Sequence, residues 1–113
     1  MEKSPRKLVE WEDIMLLIRE VMYCKPGKVR PLLDKFKTMA TIMEKHGMGK
    51  MRIMTDVAAE RYWTLVAEFE VESLDTFMAM DDKNPAMQEM GPIMQGYHDL
   101  VDHGKREVYK IEG

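Results

Sequence analysis

The sequence predicts one α+β domain whose elements run β-α-β-β-α-β, and three observations carry that expectation. A mostly apolar run at 13–24 gives way, after a turn, to apolar residues at three- and four-residue steps, which is a switch from strand period to helix period. The stretch 61–72 alternates apolar and polar residues, the pattern of a strand with one face in a core. Asn84-Pro85 then opens a second helical pattern that closes onto a last strand-like run ending in Tyr109, Lys110 and Ile111.

At 113 residues the chain is the size of one domain, and residues 1–12 read as an N-terminal arm, with Trp11 as an anchor, ahead of a domain at 13–113. In the first strand, 13–24, apolar side chains occupy both parities as far as Ile18, so both faces of that strand are expected to be covered. Lys25, Pro26, Gly27 and Lys28 break it. Val29, Leu32, Leu33, Phe36, Met39, Ala40 and Met43 then mark one face of an amphipathic helix, with Gly47 as its terminator and Lys45 and His46 favourably placed at the negative end of its dipole.

A second strand is expected at 50–57 and a third at 61–72. The third places Trp63, Leu65, Ala67, Phe69 and Val71 on one face, and Tyr62, Thr64, Val66, Glu68, Glu70 and Glu72 on the other. Ser73 is a natural N-cap for a short helix at 74–80. Asn84 and Pro85 start the second main helix, whose apolar stripe is Met87, Met90, Met94, Tyr97 and Val101. Pro92, with Gly91 and Gly96, should kink or divide it. Gly104 is expected to close it, leaving 105–112 as the last strand.

Right-handed crossovers would place both helices on one face of a four-stranded antiparallel sheet. The other face then carries Val66, Thr64, Tyr62 and half of the first strand's apolar residues, a mixed surface that points to a homodimer joined through the sheet.

Composition limits function. The net charge of −3 offers no basic surface for nucleic acid, and no apolar run approaches the ~20 residues that cross a bilayer. A single cysteine, Cys24, and a polar N-terminus suggest a cytoplasmic protein. His98 and His103, five residues apart on one helix, would point about 140° apart, so no metal and no other cofactor is expected. Thirteen methionines imply an adaptable core. Asp81 and Asp82 read as solvated groups in a linker, and Cys24 as a buried, inert thiol at a strand end.

The candidate site residues follow from chemistry. Trp63, Met87, Met94 and Tyr97 could line an apolar pocket between sheet and second helix, suited to a small aromatic ligand. His98 is the candidate acid/base, because an imidazole titrates near neutrality. Arg19 interrupts an apolar strand and needs a partner, either a glutamate on a neighbouring strand or an anionic group of a ligand, and Tyr23 lies on its face as a proton donor.

Over 13–112, the element order, the helix after Lys25, Pro26, Gly27 and Lys28, the alternating 62–71 strand and the closing 106–111 strand resemble the dimeric α+β barrel superfamily. That group includes antibiotic-biosynthesis-type monooxygenases, heme-degrading monooxygenases, and NIPSNAP-like and EthD-like proteins. The resemblance implies a ferredoxin-like protomer, a dimer that joins two sheets into a barrel, and a pocket between sheet and helices. Against the heme-degrading pattern, Trp63 matches a tryptophan of the third strand and His98 could match a helix histidine, but the first strand holds no asparagine. The functional expectation is therefore a small-molecule-binding protein, with cofactor-independent monooxygenation of an aromatic substrate as its enzymatic form. Non-enzymatic ligand binding, a stress-related role or a structural interaction module are the alternatives on the same scaffold.

Overall fold

The structure is a computed structural model that describes residues 15–80 and 83–113. The expected arm at 1–12 with Trp11, the start of the first strand at Asp13, and Asp81 and Asp82 lie outside the described residues. The elements are β1 (Leu16–Cys24), α1 (Val29–Lys45), β2 (Met51–Thr55), β3 (Thr64–Val71), α2 (Leu74–Met78), α3 (Pro85–Met90), a 3₁₀ turn (Gly91–Met94), α4 (Tyr97–Leu100) and β4 (Val101–Lys110). The strands form one sheet in the order β2-β3-β1-β4, antiparallel throughout. This is the ferredoxin-like α+β arrangement.

Alternation sets the two faces of the sheet. Leu16, Ile18, Met22 and Cys24 of β1 and Leu65, Ala67, Phe69 and Val71 of β3 are buried in one core. Against them α1 lays Leu32, Phe36, Met39, Ile42 and Met43, the stripe its 3.6-residue period requires. Ile18, Leu32, Met43 and Leu65 are the fully buried large side chains, each contributing roughly 1.5–3 kcal/mol by leaving water. Gly47 ends α1 in the left-handed conformation at φ +70°. Its N–H donates to the Glu44 carbonyl at 3.1 Å and the Met48 N–H to that of Met43 at 2.9 Å, a Schellman closure.

The second crossover is divided, and the break falls at the Gly-Pro cluster. The Asn84 side chain caps α3 by accepting from the N–H groups of Ala86 (2.9 Å) and Met87 (3.3 Å). Pro92 then tightens the chain into the 3₁₀ turn, and Gly96 at φ +83° re-aims it into the single turn of α4. The helix therefore ends at Leu100 rather than at Gly104, and β4 begins four residues earlier than the helical spacing of Val101 suggests. His103 consequently lies on a strand, not in a last helical turn, and the five-residue helical spacing between it and His98 does not exist.

β3 is shorter than expected. Residues 61–63 precede it, and Trp63 has φ +63°, which ends the alternation before the indole. The short helix α2 is capped as read: Ser73 Oγ accepts from the Thr76 N–H at 3.0 Å. Among the described residues no helix is long and apolar enough to cross a membrane.

Candidate functional site

The helix-facing row of β1 is apolar except at its centre, where Glu20 stands between Ile18 and Met22. Register pairs Glu20 with Arg106 of β4, and Arg106 Nε donates to Glu20 Oε2. The Arg106 guanidinium also lies 5.7 Å from the centre of the Phe77 ring, within range of a cation–π contact. The next pair on the same face of the sheet is Met22 with Gly104. A Cβ at residue 104 would sit 2.9 Å from the Val21 carbonyl oxygen, closer than a side chain tolerates, so the close approach of the two strands here requires glycine; Tyr97 Oη, 3.6 Å from the same point, stands over the sheet at this position. Burial, and then the nearby Glu20 and Cys24, raise the Tyr97 pKa above its ordinary value. Tyr97 is therefore a protonated donor at neutral pH.

This polar end opens into a hollow of about 440 Å³. Its walls are Phe36, Met39 and Met43 of α1, Phe69 of β3 and Phe77 of α2, and its roof is Met87, Met90, Gly91 and Met94. All three phenylalanines of the chain line it. The roof is fastened to α1 at two points. Lys35 Nζ donates to the carbonyls of Ile93 (2.9 Å) and Gln95 (2.8 Å), which the broken helix leaves without intrahelical partners. Glu89 meets Lys45 at 2.6 Å and His46 at 2.9 Å, and these hydrogen bonds hold its carboxyl below the usual range. The hollow can accept a flat apolar guest and offers an oxygen on that guest one phenolic donor and one guanidinium.

Of the residues singled out by sequence, Met87, Met94 and Tyr97 meet in this hollow. Trp63 does not. Its left-handed backbone carries the indole to a separate hollow beside α1, where it is 43% exposed. His98 is exposed beyond the lining, its ring edge-on to Tyr97 at 5.4 Å. Arg19 and Tyr23 have the opposite parity to Glu20 and so project from the other face of the sheet. There Arg19 donates to Glu68 at 2.8 Å and stands 3.6 Å from Glu107, the cross-strand carboxylates expected of a structural ion pair. Tyr23 packs against His103 at 4.8 Å, with the Arg61 guanidinium 4.7 Å above its ring. Burial, then Asp56, raises the Cys24 pKa, so its thiol stays protonated. Among the described residues no three His, Cys, Asp or Glu side chains come together as a metal-binding group.

Glu20 and Arg106 were not singled out by sequence. The available signal was parity: Glu20 shares that of Leu16, Ile18 and Met22, while Arg19 shares that of the face that carries Glu68.

No protein-family profile and no curated protein sequence matches the chain. Solved structures do. A protein from Chloroflexus aurantiacus, provisionally described as an antibiotic biosynthesis monooxygenase, is 15% identical with a TM-score of 0.64, covering 88% of this chain and 94% of its own. An uncharacterized NIPSNAP-like domain protein from Burkholderia xenovorans is 11% identical with a TM-score of 0.62, covering 87% and 85%. A dimeric protein of unknown function with a ferredoxin-like fold from Bacteroides fragilis is 13% identical with a TM-score of 0.60, covering 86% and 96%. These are the groups the sequence resembles, and at such identities the likeness is one of fold.

Proposed function

We propose that the protein binds a small aromatic molecule bearing a hydroxyl or carbonyl oxygen, of the phenol or quinone type, in the methionine-lined hollow. One observation carries this reading: an apolar lining ends in a guanidinium–carboxylate pair and a protonated phenol, Arg106, Glu20 and Tyr97. Thioethers accept ring edges and repack at little cost. Tyr97 and Arg106 would orient the guest's oxygen, and Arg106 would favour its anionic form. A cofactor-independent monooxygenase is the enzymatic form of this reading, and the fold shared with a protein described as a monooxygenase supports it. In that form Glu20, rather than the outlying His98, would accept the phenolic proton, because Glu20 lines the hollow.

The protein is further proposed to be a homodimer, a reading supported by the dimeric Bacteroides fragilis protein of this fold, and the open face of the sheet is the surface proposed to join the two copies. Val21, Val66 and Met54 would lie in that interface, flanked by the Arg19–Glu68 and Arg52–Glu68 pairs.

The test uses protein labelled with ¹³C in its methionine methyl groups, titrated with 1-naphthol and followed by NMR, with sedimentation run on the same sample. Saturable shifts of the Met87, Met90 and Met94 methyls, weakened in Tyr97→Phe, are expected from a dimeric species. Methyl resonances that stay fixed up to millimolar naphthol would sink the binding reading, and a monomer at micromolar concentration would sink the dimer.

A further inference from the structure

A second hollow, also of about 440 Å³, opens at the start of β3 and shares no lining residue with the first. Gly27, Val29, Arg30 and Leu33 form the side contributed by α1 and the turn before it, Thr55 and Asp56 form the floor, and Tyr62 and Trp63 form the remaining wall. Tyr62 is 81% exposed and Trp63 43%. Neither exposure is what core packing would choose for so large an apolar surface.

The backbone at Trp63 is held in an uncommon state. Among the described residues it alone, apart from glycines, has positive φ, a conformation that costs an L-residue roughly 1–2 kcal/mol. Hydrogen bonds on both sides hold it there. The Trp63 carbonyl accepts from the Cys24 N–H at 2.8 Å, and the Thr64 N–H donates to Asp56 Oδ1 at 2.9 Å. Thr64 Oγ1 donates to the Arg61 carbonyl at 2.8 Å. The result is an indole fixed at the edge of an open hollow instead of in the core row with Leu65 and Ala67.

Across the hollow is a free cation. Among the described residues Arg30 has neither an ion pair nor a side-chain hydrogen bond. Its planar fork of donors matches a carboxylate in two parallel bonds. Asp56, in the floor of the same hollow, would repel a second negative charge placed near it.

We propose that this hollow is a binding site for a small planar aromatic monoanion, an aryl carboxylate, whose ring stacks on Trp63 and Tyr62 while its carboxylate pairs with Arg30. Aromatic surface gives affinity, Arg30 selects the charge, and Asp56 limits that charge to one. The site is independent of the methionine hollow, because different residues build it.

The experiment uses the Trp11→Phe variant, in which Trp63 is the remaining tryptophan of two. The probe is 4-nitrobenzoate, an aromatic monoanion that quenches indole emission, with 4-nitrobenzamide as its neutral counterpart. Saturable quenching by the carboxylate is expected, with at least tenfold weaker binding of the amide to the same protein. Arg30→Gln should weaken the carboxylate to a similar degree, and Arg106→Met should leave its affinity unchanged. Quenching that rises linearly without saturation, or equal affinity for carboxylate and amide, overturns the proposal. Loss of binding in Arg106→Met overturns it too, since the probe would then occupy the methionine hollow.

Discussion

Two hollows of equal size sit in this small domain, and they are built in opposite ways. The methionine hollow is an enlargement of the core. Met43 and Phe36 line it and at the same time pack against the sheet, and Met43 is only 1% exposed. The Trp63 hollow is built on a connection, from residues 55, 56, 62 and 63 and the first turns of α1. In the first, any change to the lining is also a change to the fold. In the second, the lining can be altered while the core stays as it is. The first wall is flexible because thioethers have three rotatable bonds. The second is stiff because hydrogen bonds fix its backbone and indole has few rotamers.

The sharpest contrast comes from truncating one wall residue in each. Met43→Ala should cost about 2–5 kcal/mol of unfolding free energy, as removal of a buried methionine side chain does. Tyr62→Ala should stay within about 0.5 kcal/mol, as is usual for an exposed position. Urea unfolding of both variants measures the difference, and equal losses would break the distinction between core-built and loop-built sites.

A smaller effect probes the strain at Trp63. Glycine adopts positive φ freely and alanine does not. Trp63→Gly should therefore be more stable than Trp63→Ala by about 1 kcal/mol, the reverse of the order at an ordinary strand position. Alanine equal to or better than glycine would mean that the left-handed conformation is not retained without the indole.

The smallest effect concerns the roof of the methionine hollow. Glu89 has its pKa lowered by hydrogen bonds from Lys45 and His46. A carboxylate depressed in the folded state stabilises it above the unfolded pKa, and that contribution is lost as pH falls through the folded value. The fastening is thus complete at neutral pH and released only in acid, below the ordinary carboxylate range. In Glu89→Gln, thermal midpoints measured from pH 6 to pH 3 should fall less steeply than in the parent protein. Parallel curves would show that the roof does not depend on this carboxylate.

What could be read from the sequence tracks how local each cause is. The α1 stripe from Leu32 to Met43, the Asn84 and Ser73 caps and the division at Gly91-Pro92 depend on neighbours within one or two turns, and all appear where expected. The boundary at Leu100–Val101 was misplaced because Val101 keeps helical spacing from Met94 and Tyr97, while left-handed Gly96 had already redirected the chain. Trp63 was assigned to the same pocket as Met87 and Met94, on the face that carries Leu65 and Ala67, because alternation cannot register a single left-handed residue. The Glu20–Arg106 pair was missed because it is a contact between strands 86 positions apart, and its register is set by the whole sheet.

The sheet order has a consequence for how copies of the chain can meet. Its two open rims are β2 and β4. β2 is only five residues long, with exposed Arg52 among them. β4 is ten residues long, but Lys105, Arg106 and Lys110 leave it studded with exposed cations. Rims of this kind resist recruiting a further strand from a neighbouring molecule, since pairing would bring like charges together or find too little length to grip. The protein is thereby guarded against growth into open-ended ribbons.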